Sequence, residues 1–328
     1  MTAPVLDIRN VTKTYPSGNR GKGTSFYALK DVSLTIGDTG RIIAIAGESG
    51  SGKTTLANVI LGFVTPDSGH VRLDGQPIDW RDKRALFEYR RQVQVVFQDP
   101  FATFNPFYRV RHVFDLSIRS FLKFPSRAAA REAIEHSLSL VGLRGDDVLD
   151  KYPHQLSGGQ RQRVMFARAH MLRPRVIVAD EPVSMVDASL RRSILDVMLR
   201  LRDEGISFVY ITHDLGTVHQ VADELLVLYR GRLVERGPAA PVIDDPHHPY
   251  LKMLVESVPP IGRDETWCTA ELPDPGTLLP PASGCVFRSL CPRRMAACDS
   301  IEPALVRVAD HGDAGPHSAA CLLYQQPA

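Results

Sequence analysis

The sequence feature that most constrains the fold is a glycine-rich segment placed directly after an apolar run. Residues 47–54 read Gly-Glu-Ser-Gly-Ser-Gly-Lys-Thr, which matches the pattern G-x-x-x-x-G-K-S/T. The segment follows the predicted strand Arg41–Ala46 and precedes the helical run Thr55–Phe63. Glycines let a backbone wrap around phosphate groups, while N–H groups and the helix N-terminus supply partial positive charge. The segment therefore predicts a phosphate-binding loop between a strand and a helix of an α/β fold.

Two side chains of this loop have predicted roles. Lys53 is placed to reach the β- and γ-phosphates of a nucleotide, and Thr54 to ligate Mg²⁺. A chance glycine-rich turn is the alternative, but the pattern should arise by chance on the order of once in a hundred chains of this size. The candidate phosphate contacts of the loop are Gly47, Ser49, Gly50, Ser51, Gly52, Lys53, Thr54 and Thr55.

An apolar run that ends in two carboxylates supplies a second part of such a site. Val176–Ala179 is followed by Asp180 and Glu181. Asp180 is predicted to assist Mg²⁺, and Glu181 to act as the general base on the attacking water. An apolar strand followed by acidic residues is common, so this segment indicates a nucleotide site only in combination with the phosphate-binding loop.

A third segment reads Leu-Ser-Gly-Gly-Gln from residue 156. Ser157 is a predicted N-cap, and Gln160 stands three residues later in the capping-box position. A helix N-terminus binds anions, so this segment predicts either a second phosphate contact or a contact to the same nucleotide from another subunit. An ordinary capped helix is the alternative, although it does not account for the paired glycines Gly158 and Gly159.

These three segments, in this order, resemble those of the ABC ATPases, and the resemblance covers most of residues 5–257. It implies a P-loop NTPase (RecA-like) α/β core with an antiparallel β subdomain and a helical subdomain at about residues 100–173. It also implies that Gln98 contacts Mg²⁺ and the attacking water. His213 would then be the switch histidine near the γ-phosphate, and Asp187 would be the D-loop aspartate among the nucleotide contacts.

The adenine contact is assigned by the same resemblance to Tyr15. An aromatic ring can stack on a flat base, which makes this assignment chemically reasonable. Phe26 and Tyr27 are competing candidates, because Pro16–Ser25 reads as an inserted loop. The prediction favours Tyr15.

The resemblance also implies partners. Each ATP is expected to lie between one P-loop and the Leu-Ser-Gly-Gly-Gln segment of a second ABC ATPase subunit, so a lone subunit should hydrolyse ATP poorly. Two transmembrane permease subunits are expected to dock just past Gln98, where Phe101, Phe104 and Phe107 form an aromatic cluster. Exposed rings suit such a surface. The alternative is that they belong to the core of the helical insertion.

The periodicity of apolar residues predicts secondary structure around these segments. The expected strands are Arg41–Gly47, Val93–Gln98, Val176–Asp180 and Ile206–Thr212. A helix Arg127–Val141 is expected after the N-cap Ser126, and a hairpin turn at Arg230-Gly231. Residues 1–257 form the predicted ATPase domain, and residues 258–328 a proline-rich linker and a small C-terminal extension.

Length and composition exclude several classes of protein. With 328 residues, 44% hydrophobic and 23% charged, the chain is typical of a globular enzyme. Its longest apolar runs are far shorter than the roughly 20 residues of a membrane-spanning helix, and its N-terminus lacks a secretory pattern. A net charge of +2 without a long basic block disfavours a nucleic-acid partner. We therefore expect the chain to stay in the cytoplasm, and the resemblance to ABC ATPases implies a peripheral subunit at the cytoplasmic face of the cell membrane.

The C-terminal part of the sequence narrows the resemblance to one branch of the family. His247–Pro259, followed by a cysteine-bearing tail, is similar to the oligopeptide/dipeptide branch of ABC importers. That branch implies a second ATPase, two membrane subunits, an extracytoplasmic solute-binding protein and uptake of peptides, with oligosaccharides or nickel as alternative solutes. A soluble ABC ATPase acting on nucleic acid is a further alternative, which the compact gap from Thr54 to Leu156 disfavours.

Four of the five cysteines form a candidate metal-binding group. Cys285, Cys291, Cys298 and Cys321 can hold a tetrahedral zinc ion or a 4Fe–4S cluster, and a unit this small needs such a staple. The usual zinc signature begins with a closely spaced cysteine pair that is missing here. The wide spacing and the resemblance favour iron–sulfur, remote from ATP. Cys268 is the expected non-ligand, and unliganded buried thiols are the alternative.

Overall fold

A central sheet and the elements on its faces set where the functional segments lie. The structure is a computed structural model that describes residues 3–16, 25–257 and 283–325. Its strands are β1 (Leu6–Pro16), β2 (Ser25–Ile36), β3 (Ile42–Ala46), β4 (Ser68–Leu73), β5 (Gln76–Pro77), β6 (Val93–Val96), β7 (Val176–Asp180), β8 (Ser207–Ile211), β9 (Glu224–Tyr229), β10 (Arg232–Pro238), β11 (Val306–Asp310) and β12 (Pro316–Ala319). Its α-helices are α1 (Lys53–Ile60), α2 (Lys83–Gln92), α3 (Pro100–Thr103), α4 (Arg111–Phe121), α5 (Arg127–Leu140), α6 (Gly145–Val148), α7 (Gly158–Met171), α8 (Ala188–Asp203), α9 (Leu215–Val221), α10 (Ala239–Asp244) and α11 (Pro249–Glu256).

The central sheet has a parallel part that is buried on both faces. Its strand order is β11-β12-β10-β9-β3-β8-β7-β6, and the strands from β9 to β6 run parallel. Every residue of β3 and β8 is buried, as expected for strands covered from both sides. Alternate side chains of β3 enter two different cores: Ile42 and Ala44 face one, and Ile43 and Ile45 face the other.

Two subdomains cover these faces. The antiparallel sheet β2-β1-β4-β5 packs on the side of Ile43. Helices α4, α5 and α7, inserted between β6 and β7, pack on the side of Ile42. Helix α5 begins after Ser126, whose Oγ accepts the N–H of Ala129 at 3.1 Å. The predicted α/β core, β subdomain and helical insertion are confirmed.

Most predicted elements agree with the structure within two residues at their ends. The predicted strand Val176–Asp180 and the hairpin turn at Arg230-Gly231 are found as expected. The predicted strands Arg41–Gly47, Val93–Gln98 and Ile206–Thr212 correspond to β3, β6 and β8, and the predicted helix Arg127–Val141 to α5. Sheet register and capping decide these ends, and periodicity does not specify them.

The predicted aromatic cluster is wrong in one member. Phe101 and Phe107 are 54% and 86% exposed, but Phe104 is buried in the core with α4 and α7. Helix α3 is a single turn that ends at Thr103, and Phe104 continues in an extended conformation. The change of backbone direction turns this one ring inward.

The C-terminal part of the chain extends the central sheet. Strand β12 pairs with β10, and β11 pairs with β12, both antiparallel. Cys285, Phe287 and Cys298 belong to the same buried cluster as Ile42, so residues 283–325 share the core of the ATPase part. A segment of this size cannot bury enough apolar surface alone. The predicted linker, with Cys268, lies outside the described residues.

Candidate active site

The loop between β3 and α1 requires glycine at two positions. Gly47 and Gly52 have φ angles of 149° and 108°. A Cβ atom on Gly47 would overlap the carbonyl oxygen of Leu228, and one on Gly52 would lie 2.5 Å from that of Ala28. L side chains are excluded by both the conformation and the space. These two motif glycines therefore allow the loop to pack directly against β2 and β9.

Lys53, the first residue of α1, is buried against its own loop. Its Nζ donates to the carbonyl oxygens of Gly47 at 2.6 Å and Glu48 at 2.7 Å. Burial lowers the pKa of Lys53, and the neighbouring carboxylates of Glu181 and Asp180 oppose this shift. The loop lysine thus lies beside the acidic pair that follows the strand β7, as a nucleotide–metal site requires.

The residues predicted for catalysis follow neighbouring strands of the parallel sheet. Gln98 lies beyond β6, Glu181 directly after β7 and His213 beyond β8. Gln98 Nε2 donates to Oε2 of Glu181 at 2.9 Å, and Nδ1 of His213 lies 3.1 Å from Oε1. The P-loop follows β3, the neighbour of β8, so four strand ends meet at one edge of the sheet. The structure therefore brings the predicted base together with its two predicted partners.

The two acidic residues at the end of β7 are distinguished by the backbone conformation of Glu181 and the shifted pKa of Asp180. Glu181 has a φ angle of 43°, and its N–H donates to the carbonyl oxygen of Ile211 at 2.9 Å. A left-handed conformation is uncommon for a residue with a side chain and is typical of functional sites. Burial raises the pKa of Asp180, as does the charge of Glu181, whereas Lys53 lowers it. A bound cation would relieve this desolvation, so Asp180 suits a metal ligand.

The Leu-Ser-Gly-Gly-Gln segment forms the predicted capping box. Ser157 Oγ accepts the N–H of Gln160 at 3.2 Å, and Gln160 Oε1 accepts the N–H of Ser157 at 3.0 Å. A Cβ atom on Gly159 would lie 3.2 Å from Leu190 Cδ1. The alternative of an ordinary capped helix did not account for the paired glycines, and close packing of α7 on α8 gives a structural reason for Gly159. Asp187 is the N-cap residue of α8, and the preceding Met185 and Val186 approach the segment: a Cβ atom on Gly158 would lie 3.4 Å from the carbonyl oxygen of Met185.

Comparison with known proteins identifies the family. The family model described as "ABC transporter" matches residues 29–184. The dipeptide transport ATP-binding protein DppF of Escherichia coli (strain K12) is 36% identical, over 98% of this chain and 95% of that protein. This chain belongs to the ABC transporter ATP-binding proteins. It is therefore an ABC ATPase, and the resemblance of its motifs to that family is confirmed.

Other members of the ABC family extend the match along the chain and to solved structures. The di/tripeptide transport ATP-binding protein DppF of Pseudomonas aeruginosa (strain UCBPP-PA14) is 38% identical over 97% of this chain and 99% of that protein. The family model "Oligopeptide/dipeptide transporter, C-terminal region" matches residues 234–298. The cassette MJ0796, in a dimeric post-hydrolysis structure with ADP and Pi, is 29% identical with a TM-score of 0.62, covering 71% of this chain and 98% of that one.

The adenine contact of this ABC ATPase stays a prediction. Tyr15 is half-buried on β1, and its ring centroid lies 6.2 Å from that of Phe26 on β2. Phe26 and Tyr27 are 45% and 52% exposed. Phe26 pairs with Tyr15 across the antiparallel sheet, and Tyr27 pairs with Thr14, so the geometry does not decide between Tyr15 and its competitors.

Of the four candidate cysteine ligands, all but Cys321 lie within the match to the oligopeptide/dipeptide transporter C-terminal region. Cys285, Cys298 and Cys321 are buried and Cys291 is half-buried, all as free thiols. The N–H of Cys285 donates to the carbonyl oxygen of Cys298 at 2.9 Å. Burial raises the pKa of Cys285, Cys291 and Cys321, the last to about 11. In these three thiols burial therefore favours the protonated form.

Sequence reasoning missed one contact to the P-loop. The N–H of Glu48 donates to the hydroxyl oxygen of Tyr250 at 2.8 Å, although 202 positions separate the two residues. Tyr250 lies in the His-His-Pro-Tyr stretch at the start of α11, which in the sequence indicated only a similarity to one branch of the family.

Within the described residues, no helix is long and apolar enough to span a membrane.

Proposed function

We propose that this chain binds and hydrolyses ATP to drive the import of peptides, as a peripheral subunit at the cytoplasmic face of the cell membrane. The observation that carries the proposal is the position of Glu181, hydrogen-bonded by Gln98 and paired with His213 beside the P-loop lysine Lys53. A carboxylate held this way has the orientation needed to accept a proton from water.

The proposed chemistry is in-line attack of water on the γ-phosphorus of ATP. Glu181 accepts one proton of the water while the new oxygen–phosphorus bond forms, and the bond to the bridging oxygen of ADP breaks. Lys53 and the N-terminus of α1 stabilise the negative charge that develops on the phosphate oxygens. We assign Mg²⁺ to Thr54, Asp180 and Gln98, where it would neutralise phosphate charge.

We assign the remaining phosphate contacts as the sequence predicted them. The backbone of the loop surrounds the phosphates, and Ser157 to Gln160 contact the nucleotide of a second ABC ATPase subunit. This assignment is supported by the capped N-terminus of α7, which is exposed at Ser157 and carries the partial positive charge of a helix end. Asp187, the N-cap residue of α8, is assigned to the same subunit contact.

Peptides are the proposed solute class because two independent similarities agree. The C-terminal family match carries an oligopeptide/dipeptide description, and the full-length relatives named above are dipeptide and di/tripeptide transport proteins. The alternatives of oligosaccharide, nickel or nucleic-acid function have no such support. The proposed partners are a second ATPase, two transmembrane permease subunits and an extracytoplasmic solute-binding protein.

The proposed permease contact lies on the helical subdomain just beyond Gln98. Phe101 and Phe107 expose large apolar rings there, and the guanidinium of Arg161 lies 3.8 Å from the centroid of Phe101. Exposed aromatic rings that follow a nucleotide-sensing residue suit a coupling surface, because movement at Gln98 would reach them directly.

Uptake by cells tests this function. Cells that lack the gene for this chain should lose uptake of labelled dipeptide, and the wild-type gene should restore it. Lys53→Ala should fail to restore uptake, since the lysine contact to the phosphates is lost. Dipeptide uptake unaffected by the deletion, with a deficit in nickel or oligosaccharide uptake instead, would contradict the peptide proposal and leave the ATPase assignment intact.

We also propose that Cys285, Cys291, Cys298 and Cys321 hold a 4Fe–4S cluster, which would link distant parts of the C-terminal segment. Four sulfur donors without an oxygen or nitrogen ligand fit such a cluster, and zinc is the alternative. Their burial and the backbone hydrogen bond between Cys285 and Cys298 support one shared site.

Iron content tests the cluster. Protein purified without oxygen should be brown and contain about four irons per chain. Colourless protein with one zinc would contradict the cluster, as would unchanged iron content in Cys291→Ser.

A further inference from the structure

The His-His-Pro-Tyr stretch has no role in the proposed function, yet it reaches the nucleotide site. Tyr250 is fully buried, and its hydroxyl oxygen accepts the backbone N–H of Glu48 at 2.8 Å. Glu48 is the second residue of the P-loop. Burial raises the pKa of Tyr250, so the hydroxyl is neutral at physiological pH.

The residue that Tyr250 holds is also the residue that orders the loop lysine. The carbonyl oxygen of Glu48 accepts Lys53 Nζ at 2.7 Å and the N–H of Ser51 at 3.2 Å. Tyr250 therefore fixes Glu48 on its N–H side, while Lys53 and Ser51 are hydrogen-bonded on its C=O side. A shift of this residue would move the turn that places the lysine.

The ring of Tyr250 is held by two other rings. The centroid of Tyr229, the last residue of β9, lies 4.6 Å away, and that of Phe287 lies 5.5 Å away. Phe287 is 1% exposed and belongs to the C-terminal extension, two positions after Cys285. The extension thus forms one wall of the pocket that orients Tyr250.

The backbone before Tyr250 is fixed by a buried carboxylate. Glu235 on β10 accepts the N–H groups of His247 at 2.7 Å and His248 at 2.8 Å, and His317 Nε2 on β12 lies 2.7 Å from the same carboxylate. His248 Nδ1 in turn accepts the N–H of Tyr250 at 3.1 Å. The start of α11 is therefore anchored to both β10 and β12.

Glu235, His247 and His317 also offer three ligating atoms within 4.8 Å of one another, the arrangement of a small metal site. Both oxygens of Glu235 already accept backbone N–H groups, and its separation from His317 is that of a charge-assisted hydrogen bond. A metal ion would have to replace this bond. The group is better explained as the anchor of α11.

We propose that Tyr250 is a positioning residue of the ATP site, which ties the P-loop to the C-terminal extension through Phe287. This inference rests on the nucleotide site proposed above. The hydroxyl holds Glu48, the P-loop keeps the geometry that binds phosphate, and the extension sets the position of the tyrosine. Damage to the extension should therefore weaken nucleotide binding even though its residues do not touch the nucleotide.

The test uses the purified full-length chain and a fluorescent ADP analogue. Tyr250→Phe keeps the ring and removes only the hydroxyl, so nucleotide affinity should fall about three- to tenfold, the effect of one lost hydrogen bond. Hydrogen–deuterium exchange at the Glu48 amide should become faster, while the melting temperature stays close to wild type. Phe287→Leu should weaken nucleotide affinity in the same direction by freeing the tyrosine ring.

Tyr324→Phe is the matched control. Its hydroxyl donates to the carbonyl oxygen of His247 at 3.2 Å, on the outer side of the same stretch, so its loss should leave affinity and Glu48 exchange unchanged. Wild-type affinity and exchange in both Tyr250→Phe and Phe287→Leu, with Lys53→Ala still defective, would overturn the inference and leave the nucleotide site standing. Wild-type affinity in Lys53→Ala would overturn both.

Discussion

Glu181 combines several properties that a general base needs. Its side chain is 18% exposed, so water reaches it, and both carboxylate oxygens have a polar neighbour that fixes their direction. Its backbone is left-handed, with a φ angle of 43°. Conformational strain of this kind costs roughly 1–3 kcal/mol, and the surrounding sheet compensates for it.

Replacing Glu181 tests its role directly. Glu181→Gln should keep ATP binding but lower steady-state hydrolysis by a factor of roughly 10²–10⁴, because an amide cannot accept the proton of the water. The measurement is phosphate release by the assembled complex, together with nucleotide affinity. The exposed Glu256→Gln serves as the control and should hydrolyse at the wild-type rate. Hydrolysis within a few-fold of wild type in Glu181→Gln would remove this residue from the base role.

Helix α7 connects the proposed partner contact to the core of the helical subdomain. Its N-terminus is capped by Ser157, and near its other end His170 is buried with Nδ1 3.0 Å from Ser137 Oγ on α5. Burial lowers the pKa of His170 to about 4, and the neighbouring His136 adds to this shift. The α5–α7 contact thus contains an imidazole that stays neutral while the protein is folded.

This buried histidine should make the protein sensitive to mild acid. In the unfolded chain His170 has its ordinary pKa of 6.5, so below that pH the unfolded state takes up a proton that the native state resists until about pH 4. The free energy of unfolding should therefore fall as the pH drops from 6.5 towards 4, by up to about 2 kcal/mol at pH 5 from this group.

A variant at His170 separates the contribution of this residue to the pH dependence of stability from that of other titrating groups. His170→Gln, measured by denaturant unfolding at pH 7 and pH 5, should lose less stability between the two pH values than wild type does. The exposed His154→Gln should keep the wild-type difference. An equal loss of stability in His170→Gln and wild type would show that His170 does not titrate as its burial indicates.

Among the described residues, the two segments proposed to contact phosphate both lie at helix N-termini, that of α1 after the P-loop and that of α7 after Ser157. Each is exposed at its first turn, at Thr54 and at Ser157 respectively. A helix end attracts anions through its free N–H groups. Under the proposed function these are the two different halves of a shared phosphate site, which a head-to-tail pair of subunits would join into two complete sites.

A substitution at Ser157 tests this sharing. Ser157→Arg should leave ATP binding to the isolated subunit intact but stop hydrolysis in the assembled complex, because the bulky side chain would enter the partner's nucleotide site. Loss of the cap itself should cost only about 1 kcal/mol. Ser126→Arg removes the equivalent cap of α5 and should leave hydrolysis near wild type. A fall in the isolated subunit's affinity as large as in Lys53→Ala would refute the shared site.

The sequence alone determined the features that depend on neighbouring residues. The P-loop glycines, the capping box of Ser157 and the helix after Ser126 are encoded within a few positions, because backbone conformation and capping are local properties. The order of the motifs was enough to indicate the family. The conformation at Gly47 and Gly52 then agreed with what the motif requires.

Only the tertiary structure gave the contacts between distant residues. The family resemblance assigned Gln98, Glu181 and His213 to one site, but the physical reason is that β6, β7 and β8 lie side by side in parallel, and strand order cannot be read from periodicity. The contact between Tyr250 and Glu48 and the pairing of β12 with β10 depend on the same long-range packing. The inward turn of Phe104 has a related cause, since a ring's exposure depends on what packs beside it and not on its own sequence neighbours.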